Sequence, residues 1–311
     1  MTQDRAPTAD ELTVAVATCG RPSGLARCLR AIAAGSVRPH EVIVVDQAST
    51  DASRAAVAAG AGLRTRHVEQ ARLGLSASRN LALAVARTPL LAVTDDDCAP
   101  HEGWIAALVG AFATAPVPAA VTGQIVALGP RPPGTYAVSL RTSTAARDHR
   151  GRALPWDVGS GANFAAATAL LARLGGWDER LGVGSGGRAA EDADLLYRIL
   201  RDGAIVRYAP AAIVAHDWQT RSQRLASRSS YAFGVGALCG LWLRRGDPYA
   251  ARMLAGYAGL HGRRLAAATR GRDRGLAVEH ARALAALAPG VAYGLRAAPR
   301  APTSTPAGVS A

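Results

Sequence analysis

The chain has 311 residues, of which 49% are hydrophobic and 19% are charged. This balance is typical of a globular protein with one large domain or two smaller ones, and it excludes a disordered or fibrous chain. The sequence contains no lysine. That absence excludes a lysine-containing phosphate loop, a lysine Schiff base and the lysine-dependent site of a protein kinase.

The four cysteines are scattered, at Cys19, Cys28, Cys98 and Cys239. This spacing predicts neither a disulfide framework nor a thiolate zinc site, and it favours a reducing compartment. The N-terminus has no apolar segment of the kind found in secretory signals. The longest uncharged apolar runs, 231–243 and 283–295, are too short to span a bilayer. We therefore expect a cytoplasmic protein.

Positive charge is concentrated towards the C-terminus. Residues 221–311 supply +11 of the formal net charge of +13, because they hold 14 arginines and only three acidic residues. A basic and apolar region of this kind is typical of peripheral contact with the inner membrane face or with a lipid-linked phosphate. A solvated basic face explains the same charge, and the sequence leaves both interpretations open.

The first third of the chain alternates short apolar strands with amphipathic helices. Four strands are predicted, at 12–17, 42–45, 64–69 and 90–94. Three helices are predicted between them: one with its N-cap at Ser23 and its end at Gly35, one from Asp51 to Gly60, and one over 76–87. Strands and helices at this spacing predict βαβ units and a mostly parallel sheet.

The rest of the chain is less regular and then becomes helical. Residues 121–128 are predicted as a strand, and 129–160, which are rich in proline, glycine and arginine, as a mobile active-site loop. The remaining predicted elements are a helix over 190–202, a strand over 205–208 that leads to Pro210, and helices over 222–243, 247–268 and 275–287.

Polar side chains follow the ends of the predicted strands: Thr18, Arg21, Asp46, Asp51, Asp95, Asp96 and Asp97. Ligands of open α/β sheets bind at the carboxyl ends of the strands, near the point where the strand order reverses. We therefore expect these side chains to meet at one rim of the sheet.

The acidic triplet 95–97 follows a buried strand. Because alternate side chains of a strand point to the same side, Asp95 and Asp97 can face the rim together while Asp96 points elsewhere. Carboxylates at this spacing suit Mg²⁺ or Mn²⁺. A solvated acidic turn that caps the helix starting near Glu102 explains the triplet without a metal. The position at a strand end favours the metal.

Eight segments in register resemble family 2 glycosyltransferases. They are TCGRP (18–22), VIVVDQASTD (42–51), GLSASRNLALAVA (74–86), VTDDDC (93–98), GANFAAA (161–167), LGGWDERLG (174–182), EDADLLYRI (191–199) and YAPAAIVAHD (208–217). The resemblance implies a GT-A fold, which is a Rossmann-like α/β fold with a mixed, mostly parallel sheet flanked by helices. It also implies a nucleotide-sugar donor and inversion at the anomeric carbon.

The resemblance covers about residues 12–217, and it sets the expected domain organisation. We expect a GT-A domain over 11–220 and a basic helical extension over 221–296. Residues 1–10 and 297–311 are expected to be disordered.

Position by position, the resemblance implies a nucleotide-sugar pocket formed by Thr18, Arg21, Asp46, Ser49, Asp51, Arg79, Asn80, Asp95 and Asp96. Asp46 corresponds to the acid that binds the nucleoside base. Asp95 and Asp97 correspond to the D-x-D metal motif, with His216 as a further candidate at the metal. Gln47 stands where the family usually has an acid or glycine, so the sequence does not fix the base, although a UDP-sugar is favoured.

Glu191 and Asp192 are the candidate catalytic acids. Inverting transfer needs a carboxylate to take the proton of the acceptor hydroxyl, and the family resemblance favours Asp192 as this base, with Glu191 assisting. Acids at the start of a helix also complement its dipole and need no further role. The resemblance further implies an acceptor site formed by Asn163, Trp177, Asp178 and Asp194. The glycines at 182, 184, 186 and 187 are predicted to form a flexible lid.

The predicted activity is metal-dependent transfer of a sugar to a hydroxyl acceptor. A lipid-linked molecule, a cell-surface glycan and a natural product are all compatible acceptors, and no nucleic acid partner is expected. Two alternatives stay open: a nucleotidyltransferase, which also places acids and Mg²⁺ at strand ends, and an inactive nucleotide-binding scaffold. The first would need more basic residues near the first strand than Arg21. The second would be expected to have lost Asp97 or Asp192.

Overall fold

The computed structural model of the protein describes residues 6–71 and 73–300. Its strands are β1 (Leu12–Thr18), β2 (Glu41–Asp46), β3 (Thr65–Glu69), β4 (Leu90–Asp95), β5 (Cys98–Pro100), β6 (Ala120–Ala127), β7 (Thr135–Tyr136), β8 (Arg147–His149), β9 (Phe164–Ala167), β10 (Val206–His216) and β11 (Gln219–Thr220). Its helices are α1 (Pro22–Ala33), α2 (Asp51–Val57), α3 (Leu75–Val85), α4 (Trp104–Ala113), α5 (Pro155–Val158), α6 (Thr168–Arg173), α7 (Glu191–Arg201), α8 (Arg221–Arg244), α9 (Tyr249–Arg270) and α10 (Arg274–Arg296).

One mixed sheet organises the first 220 residues. Its order is β3-β2-β1-β4-β9-β6-β10-β5, with β8 also paired to β10. The first four strands in this order are parallel, whereas β9 runs antiparallel between β4 and β6. The predicted α/β fold with a mostly parallel sheet is thus confirmed. The antiparallel strand β9 divides the parallel half from the pair of β6 and β10.

The burial of the first elements follows the sequence pattern. The predicted inward face of α1, formed by Leu25, Cys28, Leu29 and Ile32, is buried against the sheet. The helix begins at Pro22 with Arg21 at the N-cap, so the prediction of Ser23 as the cap was wrong. Proline is favoured at the first helical position because its missing N–H would have no partner there.

Two prolines lie inside elements that were predicted to end before them. Pro210 lies within β10, where the register with β6 shifts between Ala209 and Ile213, so the strand continues beyond the predicted 205–208. A proline without an N–H is tolerated at such an irregularity. Pro289 lies within α10, which runs on to Arg296 rather than ending near 287.

The loop predicted over 129–160 contains short elements. β7 pairs with β11, β8 pairs with β10, and α5 closes the segment. Ile125 also forms an isolated bridge with Arg141. These pairings join the segment to the sheet and to the start of α8.

The C-terminal helices α8, α9 and α10 share one apolar cluster with α7. Its buried members include Tyr197 of α7, Trp242 of α8 and Met253 of α9. Among the residues described, no helix combines the length and the apolar character needed to cross a membrane. α8 begins at Arg221, and the predicted division of the chain there stays a prediction. Of the predicted disordered ends, 1–5 and 301–311 lie outside the described residues, and a 3₁₀ turn occupies Ala9–Glu11.

Candidate active site

Three neighbouring strands place the predicted polar residues at one rim. Thr18 ends β1, Asp46 ends β2 and Asp95 ends β4. In the register of the sheet, Thr18 is opposite Asp46 and Ala17 is opposite Asp95. The rim therefore forms as expected, at the carboxyl ends of parallel strands.

Asp96 points into the protein, whereas its two acidic neighbours are partly exposed. It is buried, and its carboxylate accepts a hydrogen bond from Thr18 Oγ1 at 2.8 Å and one from Arg21 Nη1 at 3.1 Å. Burial raises the pKa of Asp96 to about 6, and Arg21 and Thr18 only partly oppose this. Through these hydrogen bonds, Asp96 holds the acidic turn to the protein interior. The family resemblance assigned Asp96 to the nucleotide pocket.

Asp95, Asp97, Cys98 and His216 form a cluster with metal-ligating potential. One ligand atom from each lies within 4.8 Å of the others. His216 Nε2 is 3.7 Å from Asp97 Oδ1, and its Nδ1 is 3.2 Å from the carbonyl of Asp217. Burial raises the pKa of the Cys98 thiol well above its usual value, with Asp95 and Asp97 adding to the shift. Two carboxylates and one imidazole suit Mn²⁺ or Mg²⁺ better than a protonated thiol does.

Arg79 connects this cluster to the start of α7. The side chain is only 2% exposed, and it donates to Asp95 Oδ1 at 2.9 Å and to Glu191 Oε1 at 2.8 Å. Its guanidinium lies against Gly161, where an added Cβ would come within 2.8 Å of Arg79 Nη1. The arginine therefore compensates two acids that the fold brings together from distant parts of the chain.

Glu191 has an unusual environment for a carboxylate. Complete burial and the neighbouring charge of Asp192 raise its pKa to about 7, although the guanidinium of Arg79 works in the opposite direction. The carboxyl therefore keeps its proton to a higher pH than an ordinary glutamate does. Such a carboxyl can donate or accept a proton without leaving its position.

Asp192 is partly exposed and is held by backbone donors. Its Oδ2 accepts the N–H of Gly161 at 2.9 Å, and its Oδ1 accepts the N–H of Ala193 at 2.7 Å. These bonds orient the carboxylate at the first turn of α7. Of the two predicted catalytic acids, Asp192 is thus the more accessible one.

The residues predicted to bind the nucleotide occupy different environments. Asp46 is fully buried and accepts the N–H of Ala48 at 2.9 Å, and its other oxygen is 3.3 Å from His67 Nε2. Ser49, with a φ of +50°, begins the turn into α2. Asp51 is fully exposed and pairs with Arg54 at 2.9 Å. Asp46 and Ser49 therefore lie at the rim, while Asp51 lies on the outer surface of α2.

Asn80 holds the turn before the glycine-rich segment. Its amide donates to the carbonyl of Trp177 at 2.9 Å and to Glu179 at 3.1 Å, and it accepts the N–H of Trp177 at 2.7 Å. Gly176 precedes this turn with a φ of +69°, and a Cβ there would come within 2.3 Å of Asn80 Oδ1. In the described structure, Asn80 binds the protein backbone.

The four residues predicted to bind the acceptor are all buried. Asn163 accepts from Trp104 Nε1 at 2.9 Å and donates to the carbonyls of Gln124 and Ala212 at 2.9 and 2.7 Å. Trp177 packs edge-to-face on Phe164. Asp178 accepts a hydrogen bond from Arg180. Asp194 accepts hydrogen bonds from Arg198 and from the indole N–H of Trp242. The structure brings none of the four to the exposed face of Asp192.

Sequence reasoning missed several residues near the site. Cys98 was considered only as an isolated thiol, although it lies one position after Asp97. Arg141, Arg228 and Arg264 line a cavity beside Asp192, yet no motif marks them. The arginine excess beyond residue 220 is the only signal for Arg228 and Arg264, and Arg141 lies outside that region.

The comparisons identify the family. Residues 13–164 match the family described as glycosyl transferase family 2. The chain belongs to this family. Two curated relatives, pre-mycofactocin glycosyltransferases from Mycobacterium tuberculosis strains CDC 1551 / Oshkosh and ATCC 25618 / H37Rv, are each 31% identical over 259 residues. The alignment covers 81% of this chain and 52% of each relative, so the chain spans about half the length of these relatives.

Solved glycosyltransferases share the fold of this family 2 member. A mannosyltransferase from Pyrobaculum calidifontis, PcManGT, solved in complex with GDP-Man and Mn²⁺, aligns with a TM-score of 0.61 at 20% identity, over 94% of this chain and 90% of that chain. S. aureus TarS 1-349 in complex with UDP aligns with a TM-score of 0.53 at 16% identity, over 72% of this chain and 65% of that chain. The GT-A fold, with its additional C-terminal helices, is thus confirmed.

Proposed function

We propose that this family 2 member transfers a sugar from a nucleoside diphosphate sugar to a hydroxyl acceptor, with inversion at the anomeric carbon. The observation that carries the proposal is the arrangement around Arg79. Its guanidinium joins Asp95, a member of the metal-ligating cluster, to Glu191, the neighbour of the candidate base Asp192. This arrangement supports a donor site and an acceptor site that meet at one point.

The donor site comprises the rim of the sheet. Asp95, Asp97 and His216 would hold Mn²⁺ or Mg²⁺, which would neutralise the diphosphate leaving group. Arg21, half exposed beside Asp97, lies where it can contact the same diphosphate. Thr18 and Asp46 lie buried beneath the adjacent part of the rim, where the nucleoside would bind. A UDP-sugar is the favoured donor, and GDP is the alternative that the experiment below compares.

In the transfer step, one proton moves from the acceptor to a side chain of this protein. Asp192 takes the proton of the acceptor hydroxyl while the oxygen forms a bond to the anomeric carbon, and the bond from that carbon to the diphosphate oxygen breaks. The two backbone N–H bonds to Asp192 keep its carboxylate in position for this role. Glu191 and Arg79 act as positioning residues, because they contact Asp192's turn and Asp95 rather than the reacting atoms.

The C-terminal helices offer a surface for peripheral contact with an anionic membrane. Leu276, Val278 and Leu295 are exposed on α10, close in the chain to exposed arginines. Binding to anionic vesicles at low salt, lost at high salt, supports this location, and absence of binding at low salt contradicts it.

Calorimetric titration of UDP and of GDP, each with and without Mn²⁺, tests the donor site. We expect one nucleotide to bind only with the metal, and Asp97→Asn to weaken this binding by more than about tenfold, because a ligand to the metal and diphosphate is lost. Asp202→Asn, which removes an acid from an exposed ion pair with Arg173, is the matched control and should bind like the wild type. Nucleotide binding that needs no metal and is unchanged in Asp97→Asn would overturn the proposal.

A further inference from the structure

A cavity of about 520 Å³ lies between the segment 137–141 and the helices α8 and α9. Its lining includes Ser160, the residue before Gly161, whose N–H binds Asp192. The cavity therefore opens one residue away from the contact that holds the candidate base. No residue of the donor rim lines it.

The cavity is strongly basic. Four arginines line it, Arg141, Arg224, Arg228 and Arg264, and no acidic side chain does. Glu279 lies behind two of them, accepting from Arg224 at 2.7 and 3.0 Å and pairing with Arg228 at 2.8 Å. One carboxylate thus balances part of the charge of two arginines.

The other two arginines have no carboxylate partner among residues 6–71 and 73–300. Arg141 donates to the backbone carbonyls of Trp156 and Gly159, and its Nε is buried without a hydrogen-bond partner. Arg264 is exposed, lines the cavity and forms no ion pair with the described acids. The lining therefore has an uncompensated positive charge that an anionic ligand can neutralise.

One wall of the cavity is aromatic. Trp156 and Tyr257 meet edge-to-face with their ring centres 5.4 Å apart, and Tyr257 stacks on His261 at 4.6 Å. Tyr231 also lines the cavity. Flat aromatic surfaces of this kind favour a planar or apolar body in the ligand.

We infer that the acceptor of this enzyme is a small hydroxyl compound that carries an acidic group, a carboxylate or a phosphate, on an aromatic or apolar body. The acid binds Arg264 and the terminal nitrogens of Arg228, whose Nε pairs with Glu279. The body packs on Trp156 and Tyr257, and the hydroxyl points to Asp192. This inference rests on the proposed function, because it assigns the acceptor of the same site. It extends that proposal by naming the substrate class and the residues that select it.

The test uses two isosteric probes, 4-hydroxybenzoate and the neutral 4-hydroxybenzamide, with 4-hydroxyphenyl phosphate to distinguish a phosphate from a carboxylate. Each is titrated by calorimetry into the full chain in the presence of Mn²⁺ and the nucleotide that binds. We expect one of the anions to bind at least about tenfold more tightly than the amide. Arg264→Gln and Arg228→Gln should each remove most of that difference.

Arg263→Gln is the matched control, because it makes the same change of charge on the same helix at a residue that does not line the cavity. Circular dichroism and urea unfolding establish that each variant is folded. Equal binding of acid and amide, equal binding by Arg264→Gln and Arg263→Gln, or no binding of either anion would overturn the inference. If nucleotides bind as expected but the anions do not, only the acceptor assignment fails; if no nucleotide binds, the proposed function itself fails.

Discussion

Arg79 is a buried cation that compensates the charge of two acidic residues of the site, Asp95 and Glu191. Replacing it by glutamine leaves the buried Glu191 and the partly exposed Asp95 without their shared counter-charge. Because breaking a buried pair leaves an uncompensated charge, we expect Arg79→Gln to lower the free energy of unfolding by about 3 kcal/mol or more. Urea unfolding measures this loss.

The control for Arg79 is Arg54→Gln. Arg54 also pairs with two acids, Asp51 and Glu69, but it does so at the surface. Exposed pairs are screened by solvent, so this variant should unfold like the wild type. Equal destabilisation by the two variants would contradict the role assigned to Arg79.

The raised pKa of Glu191 makes the stability of the metal-free protein depend on pH. The folded-state pKa of about 7 lies above the usual 4.5, so the folded chain binds the proton more tightly than the unfolded chain. The resulting stabilisation is complete below about pH 4.5 and is lost as the pH rises through 7. Relative to Glu191→Gln, the wild type should lose up to about 1.4 kcal/mol per pH unit in this window. Urea unfolding with a chelator present measures both proteins, and parallel pH profiles would show that Glu191 does not titrate there.

At the level of single residues, the sequence predicts which side chains end at the rim, but it does not predict that the four acceptor candidates are buried. Thr18, Asp46 and Asp95 follow apolar strands, and parallel strands place their carboxyl ends together. Asn163 shows no such local signal. Its burial depends on the carbonyls of Gln124 and Ala212, which lie 39 and 49 positions away in the chain.

At the level of elements, the crossing of α8 and α10 depends on glycine. A Cβ at Gly294 would come within 2.2 Å of the carbonyl oxygen of Ala237, whereas a Cβ at Gly262 of α9 would meet nothing within 4 Å. We therefore expect Gly294→Ala to destabilise the protein by about 1–3 kcal/mol through overpacking. Gly262→Ala should stabilise it by up to about 1 kcal/mol, because alanine is the better helix former.

Thermal or urea unfolding of the two glycine variants measures these opposite shifts. Gly294→Ala serves as a test of the helix crossing, and Gly262→Ala controls for the general effect of a methyl group on a helix. A stabilising Gly294→Ala would mean that the two helices do not approach as closely as described.

The predicted element boundaries are accurate where local signals decide and inaccurate where packing decides. The helix over 190–202 and the strand over 42–45 were placed within one residue. By contrast, α10 continues through Pro289 because Gly290 and Gly294 pack against the backbone of α8. Proline locally favours the end of a helix. The packing of α10 on α8, which is far away in the sequence, overrides this preference.

At the scale of the whole molecule, the candidate site combines the rim of the sheet, proposed to bind the donor, with a basic cavity lined by α8 and α9. The strand–helix pattern predicted the sheet and the rim, and the pattern beyond residue 220 predicted the C-terminal helices. The family resemblance over about residues 12–217 implied the GT-A fold. It did not predict that α8 and α9 would form one wall of the cavity beside Asp192, because the positions of helices that follow the matched residues 13–164 are set by long-range packing. The arginine excess at the C-terminal end is therefore partly a property of the candidate acceptor site.

The joint role of the metal cluster and Asp192 is the central claim, and cleavage of the donor tests it most directly. The measurement is the release of nucleoside diphosphate from the nucleotide sugar whose nucleotide binds, with 4-hydroxybenzoate or water as acceptor. We expect release to require Mn²⁺, to stop with a chelator, and to fall by about a hundredfold or more in Asp192→Asn while nucleotide binding is retained. Release that persists in the chelator, or that is as fast in Asp192→Asn as in the wild type, would contradict the account.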